Sequence, residues 1–388
     1  MIETVPEKTI VIFVTLLISY LQLTANFGVL GPALGGWTFF TFKVLAPMNL
    51  FLISIYVNYY LACTTDPGSI PEDWVPPEFI MVTDPPLLSE QGMVDVRFCN
   101  KCDSYKPPRS HHCKQCKRCV LKMDHHCPWI NNCVGYNNYS YFIRFIYSVI
   151  GCCTYGSYLL LWRLQRIIDE KNSVWYTTSN HKSATTEIIL IGIDVVLASI
   201  IVLFVGILSI YHTYCLFRGN TTIEGGEIRK TKRLIKRKKI DKVEFPFRLS
   251  VYNNICSVFG NNPILWVLPL PPPGDGIKFE VKEGTNPLVP YCWPPCDLNK
   301  PLYLDDENGD QIINEQENGS ELVRRDSEGY LVKPISMQDR MRMLYEDNDA
   351  DNDSGYGFEE DQDHNYEPNL LNACVYPDTG GERDDECI

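Results

Sequence analysis

The segment from Cys99 to Cys133 concentrates the side chains of this sequence that can bind metal ions or act as nucleophiles. It reads CNKCDSYKPPRSHHCKQCKRCVLKMDHHCPWINNC and holds seven of the 16 cysteines and four of the seven histidines. Several cysteines are separated by two residues, as Cys99 and Cys102 are, which is a typical spacing of zinc ligands. The segment has few aliphatic side chains, so we expect bound metal to stabilise it in place of a hydrophobic core.

The segment offers more possible ligands than two structural zinc sites can use. It contains seven thiols and four imidazoles, eleven groups in all. Two closed tetrahedral sites take four ligands each, so eight groups are used and three are left over. At least one thiol or imidazole is therefore available for other chemistry.

The tetrad Asp124-His125-His126-Cys127 is the most informative part of the segment, because four adjacent residues cannot all turn to one tetrahedral ion. A thiol next to an imidazole that is itself next to a carboxylate has the composition of a nucleophile, a base and an orienting group. In this hypothesis the imidazole accepts the proton of Cys127 and Asp124 fixes the tautomer of the imidazole. From the residues alone, Cys127 as one more zinc ligand remains an alternative.

Four long runs with almost no charged residue predict the helices that hold this segment at a membrane. Each run is long enough to cross the hydrocarbon core of a bilayer, and a pair of buried helices in a soluble protein is the less favoured alternative for the first two. We therefore predict an α-helical integral membrane protein with a zinc-stabilised cysteine-rich domain between spans 2 and 3. Asp194, near the start of the fourth run, is expected at a wet interface. The runs are Ile10–Leu34, Val44–Cys63, Tyr141–Trp162 and Ile188–Phe217.

The charges divide the chain into a basic body and an acidic tail. From Pro301 to Ile388 there are 25 acidic and 6 basic residues, a net charge of −19, whereas the first 300 residues carry 23 and 29 and are net +6. The polar tail has few aliphatic residues, so we expect it to be mostly disordered. Residues 64–140 carry eight Lys and Arg and residues 218–248 carry eleven, against four in residues 163–187. The positive-inside rule then predicts that the Cys/His loop and both termini are cytosolic.

These patterns predict five parts of the chain. They are residues 1–63 with spans 1 and 2, residues 64–140 with the cysteine-rich domain at about 97–147, residues 141–217 with spans 3 and 4, residues 218–298 as a membrane-proximal cytosolic segment, and residues 299–388 as a disordered acidic tail.

The cysteine-rich segment resembles the DHHC domain of protein S-acyltransferases, also called palmitoyltransferases. The likeness rests on its Cys/His pattern together with Pro107, Arg109, Asp124–Trp129 and Asn132–Gly135. Three motifs outside the segment are also similar to motifs of this family, and four spans are its usual layout. These motifs are Asp66-Pro67-Gly68 (the DPG motif), Thr221-Thr222-Ile223-Glu224 (the TTxE motif), and Asn254 with Val258-Phe259-Gly260 (a C-terminal motif).

The resemblance implies a membrane-embedded protein S-palmitoyltransferase. By this likeness Cys127 takes a palmitoyl group from palmitoyl-CoA and passes it to cysteine thiols of membrane proteins, with His125 as the base and Asp124 as its orienting group. Arg109 would contact the coenzyme A head at the cytosolic face. The family's two zinc sites would fall on Cys99, Cys102, His112 and Cys119, and on Cys113, Cys116, His126 and Cys133.

Within the family, the sequence Gly274-Asp275-Gly276 followed by Val281–Gly284 resembles the fungal endoplasmic-reticulum branch, the type 4 fungal protein fatty acyltransferases. This likeness implies the endoplasmic reticulum membrane, with the Golgi membrane as the alternative. It also separates the chain from animal relatives that carry an SH3-like domain, since the tail lacks a matching strand pattern.

Two other functions were weighed against acyl transfer, and no feature indicates a nucleic-acid partner. A membrane-anchored zinc-binding interaction module without catalysis would not need the surplus set of Asp124, His125 and Cys127. Zinc transport would need ligands near the middle of the spans. The span residues of the right type are scattered, and we expect them to be packing residues or acylation targets. These residues are Cys63, Cys152, Cys153, His212 and Cys215.

Overall fold

The structure is a computed structural model of the full chain. It describes residues 7–77, 97–99, 101–171, 181–238, 242–285 and 289–295, together with four short strands beyond residue 300. Four helices dominate it: α1 (Glu7–Leu23), α2 (Phe39–Thr64), α3 (Tyr139–Lys171) and α4 (His181–Arg218). A π-helical turn, Thr24–Leu30, and a short helix, Gly31–Ala33, extend α1.

The four long helices are long and apolar enough to cross a membrane, which confirms the predicted spans. The candidate spans are Lys8–Ala33, Phe39–Thr64, Tyr139–Lys171 and Thr185–Arg218, and each is longer than the uncharged run that predicted it. Large apolar side chains stay exposed along them, among them Phe13 at 58%, Leu50 at 66% and Phe204 at 67%. Such an exposed apolar surface is stable against lipid and unfavourable in water.

The helices pack around α3, which lies against both α2 and α4. One buried apolar cluster lies at the end of the bundle that carries the cysteine-rich segment, and a second includes Leu30, Met48 and Ile191. Asp194 was expected at a wet interface, but its side chain is 1% exposed among the helices. The adjacent π-helical turn of the first span covers it, which the one-dimensional charge pattern could not indicate.

The cysteine-rich segment consists of three short antiparallel hairpins of similar build. They pair β1 (Phe98–Cys99) with β2 (Ser104–Tyr105), β3 (His111–Cys113) with β4 (Arg118–Val120), and β5 (His125–Cys127) with β6 (Asn132–Val134). In the second and third hairpins a histidine lies opposite a cysteine, as His112 does opposite Cys119 and His126 opposite Cys133. The hairpins therefore bring together ligands that lie several residues apart in the sequence.

The chain after α4 folds back onto the cysteine-rich segment. It forms α5 (Thr222–Lys236), α6 (Val251–Phe259), a 3₁₀ turn (Pro263–Val267) and a short helix (Val289–Cys292). Arg144 of α3 donates from Nε to the Trp266 carbonyl at 2.7 Å.

The segment that resembles the fungal branch packs on Tyr136. Gly274 and Gly276 have φ angles of 97° and 73°, and a Cβ at Gly276 would lie 2.6 Å from the Tyr136 ring. Both the backbone conformation and the close approach therefore require glycine at this position.

The acidic tail is described at two hairpins only, which belong to a separate compact unit, Pro301–Pro368. They pair β7 (Tyr303–Asp305) with β8 (Gln311–Ile313) and β9 (Arg324–Arg325) with β10 (Leu331–Val332). The predicted disorder of residues 299–388 otherwise falls outside the described residues.

Candidate active site and metal centres

The three side chains of strand β5 lie in two different environments. Successive side chains of a strand point to opposite faces. His126 joins a cluster of cysteines on one side of β5, whereas His125 and Cys127 lie on the other side against residues of the membrane spans. This alternation separates a possible metal ligand from the possible reactive groups within three consecutive residues.

The first Cys/His cluster joins the first and second hairpins. Its members are the ones that the family resemblance implied, and their ligand atoms all lie within 4.8 Å of one another. The Nδ1 atom of His112 lies 3.5 Å from the Cys99 sulfur, 3.3 Å from the Cys102 sulfur and 3.9 Å from the Cys119 sulfur.

The second cluster joins the second and third hairpins in the same way. The Nδ1 atom of His126 lies 3.7 Å from the sulfur of Cys113, 3.5 Å from that of Cys116 and 3.6 Å from that of Cys133. A tetrahedral zinc ion puts sulfur and nitrogen ligands roughly 3.5 Å apart, given its usual bond lengths. Three thiols and one imidazole at these distances therefore fit a closed structural zinc site in both clusters.

Cys127 belongs to neither four-membered cluster. Its side chain is 5% exposed and packs in a buried apolar cluster with Tyr59 of α2, Ile130, and Phe142 and Ile146 of α3. The Tyr59 hydroxyl donates to the Trp129 carbonyl at 2.8 Å, which fixes the turn after Cys127 against α2. The thiol is thus held at the end of the span bundle, next to apolar side chains.

Asp124 and His125 form a hydrogen-bonded pair beside this thiol. His125 Nδ1 lies 2.7 Å from Asp124 Oδ2, and the Thr222 amide donates to Asp124 Oδ1 at 2.9 Å. Burial raises the pKa of the Asp124 carboxyl, but the hydrogen bonds from His125 and Thr222 outweigh it and hold the pKa below its usual value. Asp124 is therefore a buried carboxylate at neutral pH.

The surroundings of His125 favour its charged form. Burial lowers the pKa of the imidazole, but its hydrogen bonds with Asp124 and Cys127 raise the pKa to about 10. An imidazolium between a carboxylate and a thiol stabilises the thiolate form of that thiol, which is the nucleophilic form. The arrangement therefore places a charged imidazole directly beside the Cys127 thiol.

Arg109 is enclosed in the protein, and this geometry does not support the predicted contact with coenzyme A. Its Nε and Nη2 atoms donate to the two oxygens of Glu224 at 2.6 Å and 2.7 Å, and Nη2 also reaches the Gly219 carbonyl at 2.7 Å. The side chains of Arg109 and Glu224 are 5% and 2% exposed. The guanidinium carbon lies 4.8 Å from the Phe247 ring centroid and 5.0 Å from that of Phe279. Arg109 thus joins the cysteine-rich segment to α5.

His111, an imidazole left over in the ligand count, also contacts α5. Its Nε2 atom lies 3.8 Å from Glu227 Oε1, and Arg97 approaches its Nδ1 atom at 3.4 Å. Burial, together with nearby positive charge, lowers the pKa of His111 well below its usual value. Its side chain lies outside both four-membered clusters.

Sequence reasoning missed how residues after α3 complete the site. The TTxE motif was noted only as a family likeness, yet Thr222 holds Asp124 and Glu224 holds Arg109. His212 was expected to be a packing residue, but its ring centroid lies 5.7 Å from that of His125. A histidine in an apolar span is a signal that could have marked this position.

The fold and the site define a class: a membrane-spanning protein whose hairpins carry two Cys/His clusters and one further thiol paired with His and Asp. Residues 94–227 match the sequence profile of the DHHC palmitoyltransferase family. The chain is 37% identical over 277 residues to the palmitoyltransferase PFA4 of Mycosarcoma maydis, covering 66% of this chain and 56% of the relative. It is 35% identical over 246 residues to PFA4 of Yarrowia lipolytica, covering 62% of this chain and 66% of the relative.

A plant relative is covered over more of its length. The chain is 33% identical over 243 residues to the probable protein S-acyltransferase 16 of Arabidopsis thaliana, covering 61% of this chain and 80% of that protein. The match spans less than two thirds of the length of the two fungal relatives. The chain belongs to the DHHC palmitoyltransferase family, as its sequence motifs predicted.

Proposed function

We propose that this protein is a membrane-embedded S-palmitoyltransferase that acts through an acyl-enzyme at Cys127. The observation that carries the proposal is the position of this thiol. It lies outside both Cys/His clusters, beside the Asp124–His125 pair, and within an apolar cluster built by the spans. Neither a structural zinc ligand nor a buried packing residue needs an imidazole–carboxylate pair beside it.

The first half of the reaction transfers the acyl group to the enzyme. The Cys127 thiolate attacks the carbonyl carbon of the palmitoyl-CoA thioester, and a new carbon–sulfur bond forms as the bond to the coenzyme A sulfur breaks. His125 gives its proton to the departing thiolate and releases coenzyme A as a thiol. Asp124 stabilises the charged imidazole and keeps its ring in position.

The second half transfers the group to the substrate. His125 takes the proton of a protein cysteine thiol, and the resulting thiolate attacks the carbonyl carbon of the acyl-enzyme. The bond to Cys127 breaks and regenerates the thiolate beside the protonated His125. Coenzyme A leaves before the protein thiol reacts with the covalent acyl-enzyme, so the kinetics are expected to be ping-pong, and His125 acts as acid in the first half and as base in the second.

The apolar cluster around Cys127 provides the environment that a fatty acyl chain needs. The buried residues next to the thiol include Ile143 and Ile146 of α3 and Leu216 of α4. A chain bound along these helices stays in contact with apolar side chains or lipid, so its transfer does not require exposure to water. This placement favours a long-chain acyl donor.

Two zinc ions would be held by the two Cys/His clusters and would fix the hairpins that carry the reactive groups. Their donor sets are closed, with four protein ligands each, which suits a structural ion rather than a catalytic one. The residues that do the chemistry then lie on strands whose ends are anchored by His112, His126 and their cysteine partners.

Self-acylation of a Cys127→Ser variant tests the assignment of the nucleophile. Purified protein is incubated with palmitoyl-CoA, and hydroxylamine-sensitive label on the protein is measured. We expect the variant to lose this label while it elutes from a sizing column as the wild type does. Label that persists at the wild-type level would show that another residue is the nucleophile.

Metal analysis of the same variant separates acyl transfer from a purely structural zinc module. With Cys127 outside both clusters, we expect the Cys127→Ser variant to keep about two zinc ions per chain. Loss of one ion would make Cys127 a ligand and favour the alternative function, a membrane-anchored interaction module.

We further propose an orientation and a location. The basic loops indicate that residues 64–140, residues 218–298 and both termini face the cytosol, where coenzyme A thioesters and target cysteines are available. The likeness of the Gly274–Gly284 region to the fungal branch favours the endoplasmic reticulum membrane over the Golgi membrane. Protease protection of tagged termini in microsomes, together with imaging of a fluorescent fusion, tests both points, and a protected terminus would refute the orientation.

A further inference from the structure

His212 of α4 is a buried histidine that the acyl-transfer mechanism does not use. Its side chain is 1% exposed. Both ring nitrogens are buried and have no hydrogen-bond partner among the described residues. A buried polar atom without a partner costs free energy, so two of them on one ring indicate a ligand that is not part of the chain.

The packing of the His212 ring does not explain its nitrogens. The ring centroid lies 5.7 Å from that of His125, 5.3 Å from that of Phe142 and 6.0 Å from that of Tyr139. A phenylalanine would fill a similar volume against these aromatic neighbours without burying unpaired nitrogens. The nitrogens therefore point to a role in binding.

The ligand atoms around His212 form a third group that could hold a metal ion. One atom each of Asp124, His125 and His212 lies within 4.8 Å of the others. We propose that these three residues form a regulatory site for a divalent transition-metal ion such as Zn²⁺, and that the bound ion reversibly blocks acyl transfer. Two imidazoles and one carboxylate are ligands that suit ions of this class.

The distances require only small side-chain movements. Ligands about 2.0–2.2 Å from one ion lie roughly 3–3.5 Å apart. Asp124 and His125 are 2.7 Å apart in their hydrogen bond, and the ligand atom of His212 lies within 4.8 Å of both, so the pair would separate slightly and His212 would move towards it. The His125 side chain is 22% exposed, and this exposed edge gives an ion access to the site.

Metal binding at this site would remove the base of the proposed reaction. Coordination displaces a proton from the His125 imidazolium to solvent and uses the freed ring nitrogen together with an oxygen of Asp124, so the pair can no longer share a proton or exchange it with Cys127. The inhibitory effect rests on the proposed function, whereas metal binding itself does not. The lack of a thiolate among the three ligands makes the site weaker than the Cys₃His clusters, so the ion can exchange.

Cobalt titration of the purified full-length protein tests the site directly. Protein that retains two zinc ions in its Cys/His clusters is titrated with Co²⁺, and the bound metal is counted after gel filtration. We expect one further cobalt ion, with the weak d–d absorption of nitrogen and oxygen ligands and without strong thiolate-to-metal charge transfer. A mild chelator should remove this ion and leave the two zinc ions in place.

One variant and a matched control locate the site. His212→Phe keeps an aromatic ring and removes both nitrogens, and we expect it to lose the additional cobalt ion. Inhibition of self-acylation by Zn²⁺, expressed as the ratio of rates with and without the ion, should weaken by more than about tenfold. Tyr214→Phe is the matched control on the same helix, because Tyr214 is exposed, and it should bind cobalt as the wild type does.

Retention of two zinc ions serves as the folding check for each variant. If His212→Phe fails to retain two zinc ions, His212→Gln is used in its place. The proposal is overturned if the wild type binds no additional cobalt ion, or if both His212 variants bind it with unchanged affinity. A protein that binds the additional ion but shows no self-acylation would refute the proposed function and keep the metal site.

Discussion

At the residue scale, the buried ion pair between Arg109 and Glu224 links two parts of the chain that carry the site. Both side chains are almost fully enclosed, and Glu224 also accepts from the Thr221 amide at 2.7 Å, which completes a capping box at the start of α5. One carboxylate thus fixes both the helix start and an arginine of the cysteine-rich segment. Loss of this carboxylate leaves a buried guanidinium without its counter-charge.

We expect Glu224→Gln to destabilise the protein strongly for this reason. Removal of one partner of a buried ion pair typically costs about 3–5 kcal/mol. A fall in the thermal unfolding midpoint in detergent measures the effect. Glu244→Gln is the control, because Glu244 pairs with Lys282 in an exposed bridge with side chains 61% and 54% exposed. Such a bridge contributes about 1 kcal/mol or less, so equal shifts in the two variants would contradict the prediction.

At the scale of elements, the start of helix α5 positions the carboxylate of Asp124. The Thr222 amide and hydroxyl both approach Asp124, and the amide at the N-terminus of a helix favours a negative charge. The hairpin that bears Asp124 precedes spans 3 and 4 in the sequence, and the helix that holds it follows them. The orientation of His125 therefore depends on the contact between a hairpin and a helix start.

The Thr222 hydroxyl provides a test of this contact. Thr222→Val keeps the shape and the backbone amide but removes the hydroxyl, which donates to the Asp124 carboxylate and carbonyl. A hydrogen bond to a charged group contributes about 1.5–3 kcal/mol, so we expect self-acylation to slow by about tenfold or more. Thr222→Ser restores the hydroxyl and should recover most of the rate. Equal rates for the Val and Ser variants would mean that the hydroxyl has no role in positioning Asp124.

The hairpins have little apolar packing between one another, so we expect their internal fold to depend on metal. The only apolar cluster described between them combines Cys113 and Cys133 with Val120 and Met123. We expect a strong zinc chelator to make the segment from Phe98 to Val134 sensitive to protease, while the spans stay protected in detergent. Mass analysis of the fragments locates the cuts. Protease resistance of a demonstrably zinc-free protein would show that the fold of the hairpins does not need metal.

At the scale of the whole molecule, local patterns predicted the four spans and the two Cys/His clusters. Long charge-free runs identify helices in a bilayer because length and apolarity decide that outcome. The burial of Arg109 could not be predicted, because its partner Glu224 lies 115 residues further along the chain. The absence of a hydrogen-bond partner for the ring nitrogens of His212 among the described residues could not be predicted either, because the packing between distant segments determines the surroundings of this ring.

The acidic tail and the membrane-proximal segment should differ in their importance for activity. Among the described residues, Trp293 is the last in the sequence that belongs to the site or to the residues that support it, and it lies in an aromatic cluster. We expect deletion of residues 301–388 to leave self-acylation at the wild-type rate. Deletion from residue 249 onwards removes Asn254, whose side-chain amide donates to the Phe217 carbonyl at 2.8 Å, together with Phe279, and should abolish activity. A large loss of rate in the shorter deletion would assign a catalytic role to the tail.

The distance in sequence between Asp124 and Thr222 has a consequence for biosynthesis. The two residues that meet at the carboxylate are separated by 98 positions, and the whole of spans 3 and 4 lies between them. A ribosome that has just completed the cysteine-rich segment has produced the thiol and the imidazole but not the helix start that orients them. The nascent chain therefore carries an incomplete catalytic group until its last span has entered the membrane and the residues that follow have been translated. The proposed acyl transfer thus becomes possible only after membrane insertion is finished.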